Sequence, residues 1–457
     1  MNTDRLPARI LPLLYFGTAH LSLALASVLV AWSPRSVAGF FYHSWMVAIV
    51  HLVTLGWITL SILGAIYVVG PVALGLPLPA RRADYWAYAF ALVGIIGMIA
   101  HFWIAEFGGM AWSAATVTCG ILYVASRVVG GLTQASLPAA VKLHVVFACV
   151  NISLAAAIGI LLGFDKVYHF LPGFILSNVF AHAHLAALGW ATMMVVGVGY
   201  RLLPMTLPSK APKGPTLFAS AILLETGVLG LVVSLFMRSP WARLFGVIIV
   251  AGLGAFGAHV VRMVRSPAPK PVGAPRVDFA VLHAVSAGLS LGAAVLIGLV
   301  LLFAPMSEQT LRAAAAYGVF GLLGFLAQMI IAMETRILPW LTWYWAYART
   351  DFSTPPTPPL AMSDRTLQAL TFVCWTLAVP ALAGGFLWEA PRLLGAGAWA
   401  LLVAVLSATL NHLLVLSHVR RSPESSPVQS FLSPSRFQIR RTMAGGHPGG
   451  GNADRRS

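Results

Sequence analysis

Charged residues are scarce in this sequence. Asp, Glu, Lys and Arg make up 9% of the 457 residues, whereas an ordinary soluble domain carries about 25%. Apolar runs of twenty or more residues recur along the whole length, and no period-two alternation indicates the strands of a barrel. These features exclude an ordinary soluble domain. They predict an all-α polytopic membrane protein, because a segment in hydrocarbon must satisfy its own backbone hydrogen bonds.

Cysteine is also rare. Cys119, Cys149 and Cys374 all fall inside apolar segments, and no Cys-x-x-Cys spacing occurs. Isolated cysteines of this kind are typical of small core residues and not of a disulfide framework or a zinc site. Histidines and carboxylates are therefore the more informative candidates for chemistry.

The apolar runs predict twelve membrane-spanning helices. Their approximate ranges are 11–31, 38–70, 85–105, 110–129, 141–163, 174–204, 216–237, 241–263, 277–304, 311–340, 365–389 and 392–416. The first run lacks a small-residue cleavage site, so we interpret it as a span and not as a cleaved signal. The spans predict one membrane domain over residues 1–418, with a stiff proline-rich connector at about 341–364. Residues 419–457 are rich in Ser, Pro, Gly and Arg and are predicted to form a disordered basic tail.

Basic residues outnumber acidic residues by 29 to 13 and are unevenly distributed. If the N-terminus is cytoplasmic, 23 lysines and arginines fall in inside segments and 6 in outside segments. The positive-inside rule therefore predicts that both termini are cytoplasmic, in a bacterial-type inner membrane. No soluble domain is left to carry a basic patch, so the net charge of +16 indicates topology and not nucleic-acid binding.

Two stretches of the chain, residues 51–71 and 184–204, are nearly the same. Each begins with histidine, which is followed at identical offsets by Leu-Gly-Trp, a threonine, a glycine, a tyrosine and a proline. A third and more divergent copy, residues 319–339, keeps Gly-Phe and Arg-Ile-Leu-Pro but has Val319 in place of the histidine. The copies fall on the second, sixth and tenth predicted helices. The sequence therefore predicts three related four-helix units.

The sharpest local feature is the pair His182 and His184 in the sixth predicted helix. Their side chains point about 200° apart, because each helical residue advances by about 100°. One helix thus offers an imidazole to each of two neighbouring compartments. His51 occupies the repeat position of His184, and an ionisable ring in so apolar a segment is a candidate functional group. We predict metal or haem ligation, and the alternative is a set of buried histidines that hydrogen-bond across helix contacts.

The His-x-His pair, followed by Leu-Gly-Trp, a glycine, a tyrosine and Leu-Pro, resembles the haem-ligand helix of the haem–copper oxidase subunit I superfamily. Within that superfamily, the sequence resembles C-type oxidases and nitric oxide reductases in particular, and it also resembles the divergent NnrS-type haem proteins. The resemblance implies twelve helices in a pseudo-threefold ring. It implies one or two b-type haems (heme b) held by His51, His182 and His184, with a copper ion or second haem near other histidines. It further implies electron transfer or chemistry of dioxygen or nitric oxide in respiration, with a cytochrome c or quinol donor and small accessory subunits.

The sequence differs from that family at several metal ligands. The family carries its His-x-His pair on the tenth helix, and its copper site needs a His-His pair that is absent here. Two alternatives therefore stay open, namely a non-catalytic haem or copper sensor or nitric oxide tolerance protein, and a proton-coupled transporter without a cofactor. A transporter is expected to repeat as two halves, not as three units. No Cys-x-x-Cys-His motif occurs, so any cytochrome c donor is expected to be another chain.

Four further histidines are candidate metal ligands. Three of them occur early in the first, fifth and ninth predicted helices, each before a run of small residues: His20, His144 and His283. We interpret these three as a second, weaker repeat, for which packing is the alternative explanation. His101 lies near the outer end of the third helix beside Glu106, where an interfacial position is the alternative to metal binding.

Two carboxylates, Glu225 and Glu334, lie inside predicted spans. They are candidates for a proton path, because isolated carboxylates within a membrane usually have a functional role. Arg336 follows Glu334 by two residues and is expected to balance part of its charge. His412 is predicted to lie at a cytoplasmic helix end, where a cation complements the helix dipole.

Aromatic residues also recur in the repeat. Tyr67 and Tyr200 follow the motif histidines by sixteen residues, about 24 Å along a helix, which is too far to serve the same metal. They are predicted to anchor the helices at the membrane interface. Trp57, Trp190 and Phe325 share one repeat position next to a glycine. We predict that they pack between helices there, and contact with a porphyrin is the alternative.

Overall fold

Helices dominate the parts of the chain that the structure describes. The computed structural model describes residues 9–269, 275–347 and 357–420. Within those ranges, twelve helices are long and apolar enough to cross a membrane, which confirms an all-α polytopic membrane protein. The predicted disordered tail lies outside the described residues from 421 onward.

The twelve helices follow the predicted order, and each overlaps its predicted range. They are α1 (Ile10–Trp32), α2 (Ser44–Ala73), α3 (Arg82–Trp103), α4 (Phe107–Gly131), α5 (Ala139–Tyr168), α6 (Ile175–Thr206), α7 (Leu217–Phe236), α8 (Ala242–Arg265), α9 (Phe279–Phe303), α10 (Glu308–Tyr347), α11 (Arg365–Leu387) and α12 (Pro391–Val419).

Helix α10 is longer than predicted. The connector is expected from about residue 341, but residues 341–347 belong to the helix. Leu341 and Trp345 are buried against α1 and α2, so apolar packing continues the helix past the predicted end. Residues 348–356 of the proline-rich connector lie outside the described residues.

The four helices of each unit have the same arrangement. The first two helices pack against each other, and the last two form a closely packed pair. Successive helices are in contact around the whole bundle, and α12 packs on α1, which closes the ring. The second helix of each unit reaches the centre, where α2, α6 and α10 meet. The bundle therefore consists of three pseudo-repeated four-helix units.

Each central helix changes to π-helical geometry at the same repeat position. The three π segments are Leu52–Thr59, Leu185–Thr192 and Phe320–Ala327. Each starts directly after the first residue of the motif, and the three segments contact one another at the bundle centre. π-helical turns are rare in proteins, and those that do occur are often found at functional sites. The bundle centre is therefore a candidate functional site.

A glycine in each π segment lets a neighbouring helix approach closely. A Cβ atom added there would lie 2.5 to 2.9 Å from the Cβ atom of a residue on the first helix of the same unit. The pairs are Gly56 with Ser22, Gly189 with Asn151, and Gly324 with Ser290. The recurring glycine therefore sets the distance between the first two helices of every unit.

The same contacts correct the predicted register of the first helices. Ser22, Asn151 and Ser290 are equivalent because each packs on the recurring glycine of its unit. The residues seven positions before them are Tyr15, His144 and His283, respectively. His20 comes five residues after Tyr15, so it is not equivalent to the other two histidines. The predicted repeat of three histidines is wrong, because runs of small residues are common in apolar helices and do not define a register.

The recurring tyrosines are not interface anchors. Tyr67 and Tyr200 are both buried in the bundle. The Tyr67 hydroxyl donates to Asp84 Oδ1 at 2.8 Å, and the Tyr200 hydroxyl lies 2.8 Å from Ser220 Oγ. The prediction is wrong because each phenol finds a polar partner inside the protein, which the sequence spacing does not reveal.

Valine at Gly324 is expected to destabilise the bundle strongly. Its side chain would overlap Ser290 and press on Val379, and overpacking of this kind typically costs about 1–3 kcal/mol. Gly321 provides the matched control, because it lies in the same π segment with no atom within 4 Å of an added Cβ. Thermal unfolding midpoints in detergent would compare Gly324→Val with Gly321→Val. Equal losses in both variants would contradict the close approach of α9 to α10.

Candidate functional site

A cavity of about 760 Å³ surrounds the three central helices. Its volume falls within the range of about 300–1,000 Å³ that is usual for ligand and cofactor sites. Most of the residues that line it are apolar, and they come from helices of all three units. The cavity therefore has the size and the chemistry of a site for a large apolar cofactor.

The repeat places two residues of each central helix in the cavity wall. One is the first residue of the motif, and the other precedes it by two positions. These residues are Ile49 and His51 on α2, His182 and His184 on α6, and Tyr317 and Val319 on α10. The two positions point to opposite sides of each central helix. We call the space between two neighbouring central helices a compartment. By this geometry, each compartment is bordered by the first motif residue of one unit and by the residue two positions before the motif in the next unit.

His51 and His182 face each other across the first compartment. Their ring centroids are 6.5 Å apart and their ring planes differ by 24°. A metal ion with one bond of about 2.0–2.1 Å to a nitrogen of each ring would hold the two centroids about 6 Å apart. The observed separation therefore fits one metal ion between two imidazoles.

The hydrogen bonds of these two rings fit the same interpretation. His51 Nδ1 lies 2.8 Å from the carbonyl oxygen of Val47, which can only accept, so Nδ1 carries the proton. The Nε2 atom of a neutral His51 then has a free lone pair for a metal. His182 Nδ1 is buried and makes no hydrogen bond of normal geometry among the described residues, although the backbone of Ala155 lies close to the ring. A ring held this weakly in the wall of an apolar cavity is a candidate metal ligand.

Neighbouring residues hold the two rings in position. Phe102 stacks on His51 with the centroids 5.3 Å apart. On the other side, a Cβ atom at Gly159 of α5 would lie 3.0 Å from His182 Cε1. The absence of a side chain at Gly159 thus leaves room for the His182 ring to lie against α5.

The second compartment contains His184 and Tyr317. His184 Nδ1 donates to the carbonyl oxygen of Phe180 at 2.7 Å, and the Tyr317 ring centroid lies 5.9 Å from that of His184. Sequence reasoning missed Tyr317. It lies 135 residues after His182, the same offset that relates Val319 to His184, so the repeat could have identified it. By the same rule, Val319 and Ile49 border the third compartment, which has no imidazole at these two positions.

None of the other four candidate histidines lines the cavity. His144 is buried with both ring nitrogens in hydrogen bonds, to the Ala140 carbonyl oxygen and to Ser220 Oγ. His283 Nδ1 lies 3.4 Å from Gln328 Nε2, and the His283 ring packs on aromatic rings of α11. These partners favour structural roles for both histidines.

His101 is partly exposed, as expected for an interfacial histidine. Its Nδ1 donates to the Gly97 carbonyl oxygen at 2.7 Å, and its Nε2 lies 3.7 Å from Glu106 Oε2. Within the described ranges, it does not belong to any group of three metal-binding side chains.

The fourth histidine, His20, lies beside a predicted proton-path carboxylate. His20 Nε2 is 3.0 Å from Glu334 Oε2, and His412 Nδ1 is 3.8 Å from the same oxygen. Arg336 pairs with Asp278 and not with Glu334, so the predicted charge balance is wrong. The predicted helix-end position of His412 is also wrong, because the residue lies about two turns before the end of α12 and its side chain is buried in the bundle.

Glu225 has different partners. Asn151 Nδ2 donates to Glu225 Oε2 at 2.7 Å and lies 3.1 Å from the carbonyl oxygen of Gly189. The carboxylate is therefore linked to the π segment of α6, but it does not line the cavity. Trp57 and Trp190 are both buried, and Trp190 Nε1 donates to Thr59 Oγ1 at 3.2 Å.

The comparison with known proteins adds no family to these observations. No protein-family model and no curated protein matches this chain.

Proposed function

We propose that this chain is a membrane haem protein of the haem–copper oxidase subunit I kind, which binds a b-type haem between His51 and His182. The observation that carries the proposal is the pair of facing imidazoles, 6.5 Å apart in an apolar cavity. Bound haem would supply a one-electron iron couple, whose potential depends on its axial ligands and apolar surroundings. The proposed activity is electron transfer or chemistry of dioxygen or nitric oxide in a respiratory membrane.

The residues around the two imidazoles would have distinct roles. Val47 accepts the Nδ1 proton of His51 and so orients the ring with Nε2 available. Phe102 and Gly159 restrict the two rings to positions on opposite sides of the compartment. The apolar wall excludes water, which would otherwise compete for the metal.

The second compartment would have a different role. It offers one imidazole, His184, and the neighbouring ring is the phenol of Tyr317. A haem or copper ion bound there would receive one histidine ligand and keep a position for a small molecule. Binding of dioxygen or nitric oxide is therefore assigned to this compartment, because a haem in the first compartment would already take a ligand from each of two histidines.

The alternative of a non-catalytic haem or copper sensor or nitric oxide tolerance protein has a specific observation in its favour. Ile49 and Val319, which the repeat assigns to the third compartment, line the cavity and carry no metal-binding side chain, so they add no ligand to the two histidine-bearing compartments. A cofactor-free transporter is less well supported, because Glu225 and Glu334 are held by side chains outside the cavity and do not line it.

The proposed cellular setting follows from the charge distribution. Both termini would be cytoplasmic in a bacterial-type inner membrane, since 23 of 29 basic residues then lie inside. A cytochrome c or a quinol would donate electrons, and small accessory subunits would complete the assembly. The electron donor and the accessory subunits are assigned from the resemblance to the haem–copper oxidase family, not from the charge distribution.

The direct test is the absorption spectrum of the full chain, purified in detergent after expression with added haem precursor. We expect a Soret band, the visible bands of a reduced low-spin b-type haem, and at least one haem per chain. Size-exclusion chromatography would establish that the sample is folded and monodisperse. A monodisperse protein with no Soret band would overturn the proposal.

A further inference from the structure

We propose that His20, Glu334 and His412 form a binding site for one divalent first-row transition-metal ion, such as zinc or ferrous iron. The three residues come from α1, α10 and α12, and all are buried. One potential ligand atom from each lies within 4.8 Å of the others. None of them lines the central cavity, so this site is separate from the proposed haem site.

The hydrogen bonds around His20 determine which nitrogen is protonated. The Thr409 hydroxyl donates its only proton to the Val405 carbonyl oxygen at 2.7 Å. It must therefore accept from His20 Nδ1, which lies 2.8 Å away. His20 Nδ1 thus carries a proton. The Nε2 atom, 3.0 Å from Glu334 Oε2, then needs a proton or a metal ion between itself and the carboxylate.

The geometry of His412 and of the carboxylate favours a metal ion over a proton. His412 Nδ1 lies 3.8 Å from Glu334 Oε2, which is too long for a hydrogen bond. Two ligand atoms on one ion, with bonds of about 2.0–2.2 Å, are separated by about 3–4 Å. In addition, Glu334 Oε1 is buried without a hydrogen-bond partner among the described residues. One ion between the three side chains would account for both features.

Charge and ligand type support the same site. A buried carboxylate needs a compensating positive charge, and the nearest candidate in sequence, Arg336, is paired with Asp278. Two imidazole nitrogens and one carboxylate oxygen form a ligand set that suits zinc or ferrous iron and not magnesium or calcium. Thr409 would orient His20 through its Nδ1 proton, as second-layer partners commonly do at metal sites.

The ligand residues of this site do not recur at the equivalent positions of the other two units. The register established above places Cys149 and Gly288 at the positions equivalent to His20. The positions equivalent to Glu334 are Gly199 and Ile66. The cluster therefore occurs once among the described residues, where α12 packs on α1 and closes the ring. A metal ion there would link the first and last helices of the bundle.

The proposal is tested by zinc binding to the full chain, purified without a histidine tag and treated with a chelator. Zinc content after gel filtration would be measured by plasma mass spectrometry and its ligands by zinc K-edge X-ray absorption. We expect one tightly held zinc per chain with nitrogen and oxygen ligands, and a higher thermal unfolding midpoint with zinc. Wild-type protein that retains no zinc after gel filtration would overturn the proposal.

Variants locate the ion and control for misfolding. Glu334→Gln and His412→Ala are each expected to reduce zinc content at least tenfold. Thr409→Val is expected to weaken zinc affinity by about 10–100-fold, because it removes the partner of His20 Nδ1. Glu225→Gln is the matched control, a buried carboxylate held by Asn151, and should retain full zinc content. Equal zinc content in Glu334→Gln and Glu225→Gln would contradict the assignment.

Discussion

Alanine at His51 or at His182 is expected to abolish the low-spin spectrum of the haem that we propose between these two residues. The two rings are the only imidazoles facing the first compartment among the described residues that line the cavity, and either variant leaves one. A haem iron left with one histidine ligand would change its spin state and would bind to the protein less tightly. Haem content per chain and the reduced spectrum would measure the loss.

The controls for this prediction come from the same residue type. His144→Ala removes a buried histidine whose nitrogens bond to Ala140 and Ser220, outside the cavity, and should keep full haem content. His184→Ala should keep the low-spin spectrum of the first compartment and affect only the second. If His51→Ala and His182→Ala both retain the wild-type spectrum, the axial assignment is wrong.

Methionine at Arg127 is expected to give the largest loss of stability among the variants considered. The Arg127 Nη1 atom lies 2.8 Å from both carboxylate oxygens of Asp84, which is fully buried and also accepts from the Tyr67 hydroxyl. Removing one partner of a buried ion pair leaves an uncompensated charge and costs about 3–5 kcal/mol. The free energy of unfolding in mixed detergent micelles would measure the effect.

The matched control is an arginine whose ion-pair partners are exposed. Arg312 contacts Glu308 and Glu389, whose side chains are 76% and 36% exposed. Pairs of this kind contribute about 0–1 kcal/mol, so Arg312→Met should be nearly neutral. A similar loss in both variants would indicate that Asp84 is not dependent on Arg127 for its charge compensation.

Much of the architecture could be predicted from apolar periodicity and the repeat. Long apolar runs predict helices because a lipid environment leaves the backbone no other partners, and twelve such helices are confirmed within the described ranges. The offset of 133 residues between His51 and His184 predicts equivalent positions, and both residues immediately precede a π segment. The two-residue spacing of His182 and His184 predicts two compartments, and their rings have different neighbours.

The partners of these residues could not be predicted in the same way. Sequence spacing gives the direction of a side chain on its own helix but not the residue that faces it. His182 has no sequence signal that points to His51, 131 positions away, and Tyr317 was overlooked because the third motif copy is divergent. His20, Glu334 and His412 lie on three helices of two units, so no local pattern connects them.

The sequence alone determined that this is an all-α membrane protein with three related units, and that imidazoles occupy repeated positions in two of its apolar helices. The tertiary structure decided which of them face one another. It pairs His51 with His182, sets Tyr317 beside His184, and brings Glu334 to two histidines. The physical reason is that helix formation depends on local hydrogen bonds and hydrophobicity, whereas contacts between helices depend on packing across residues distant in the chain.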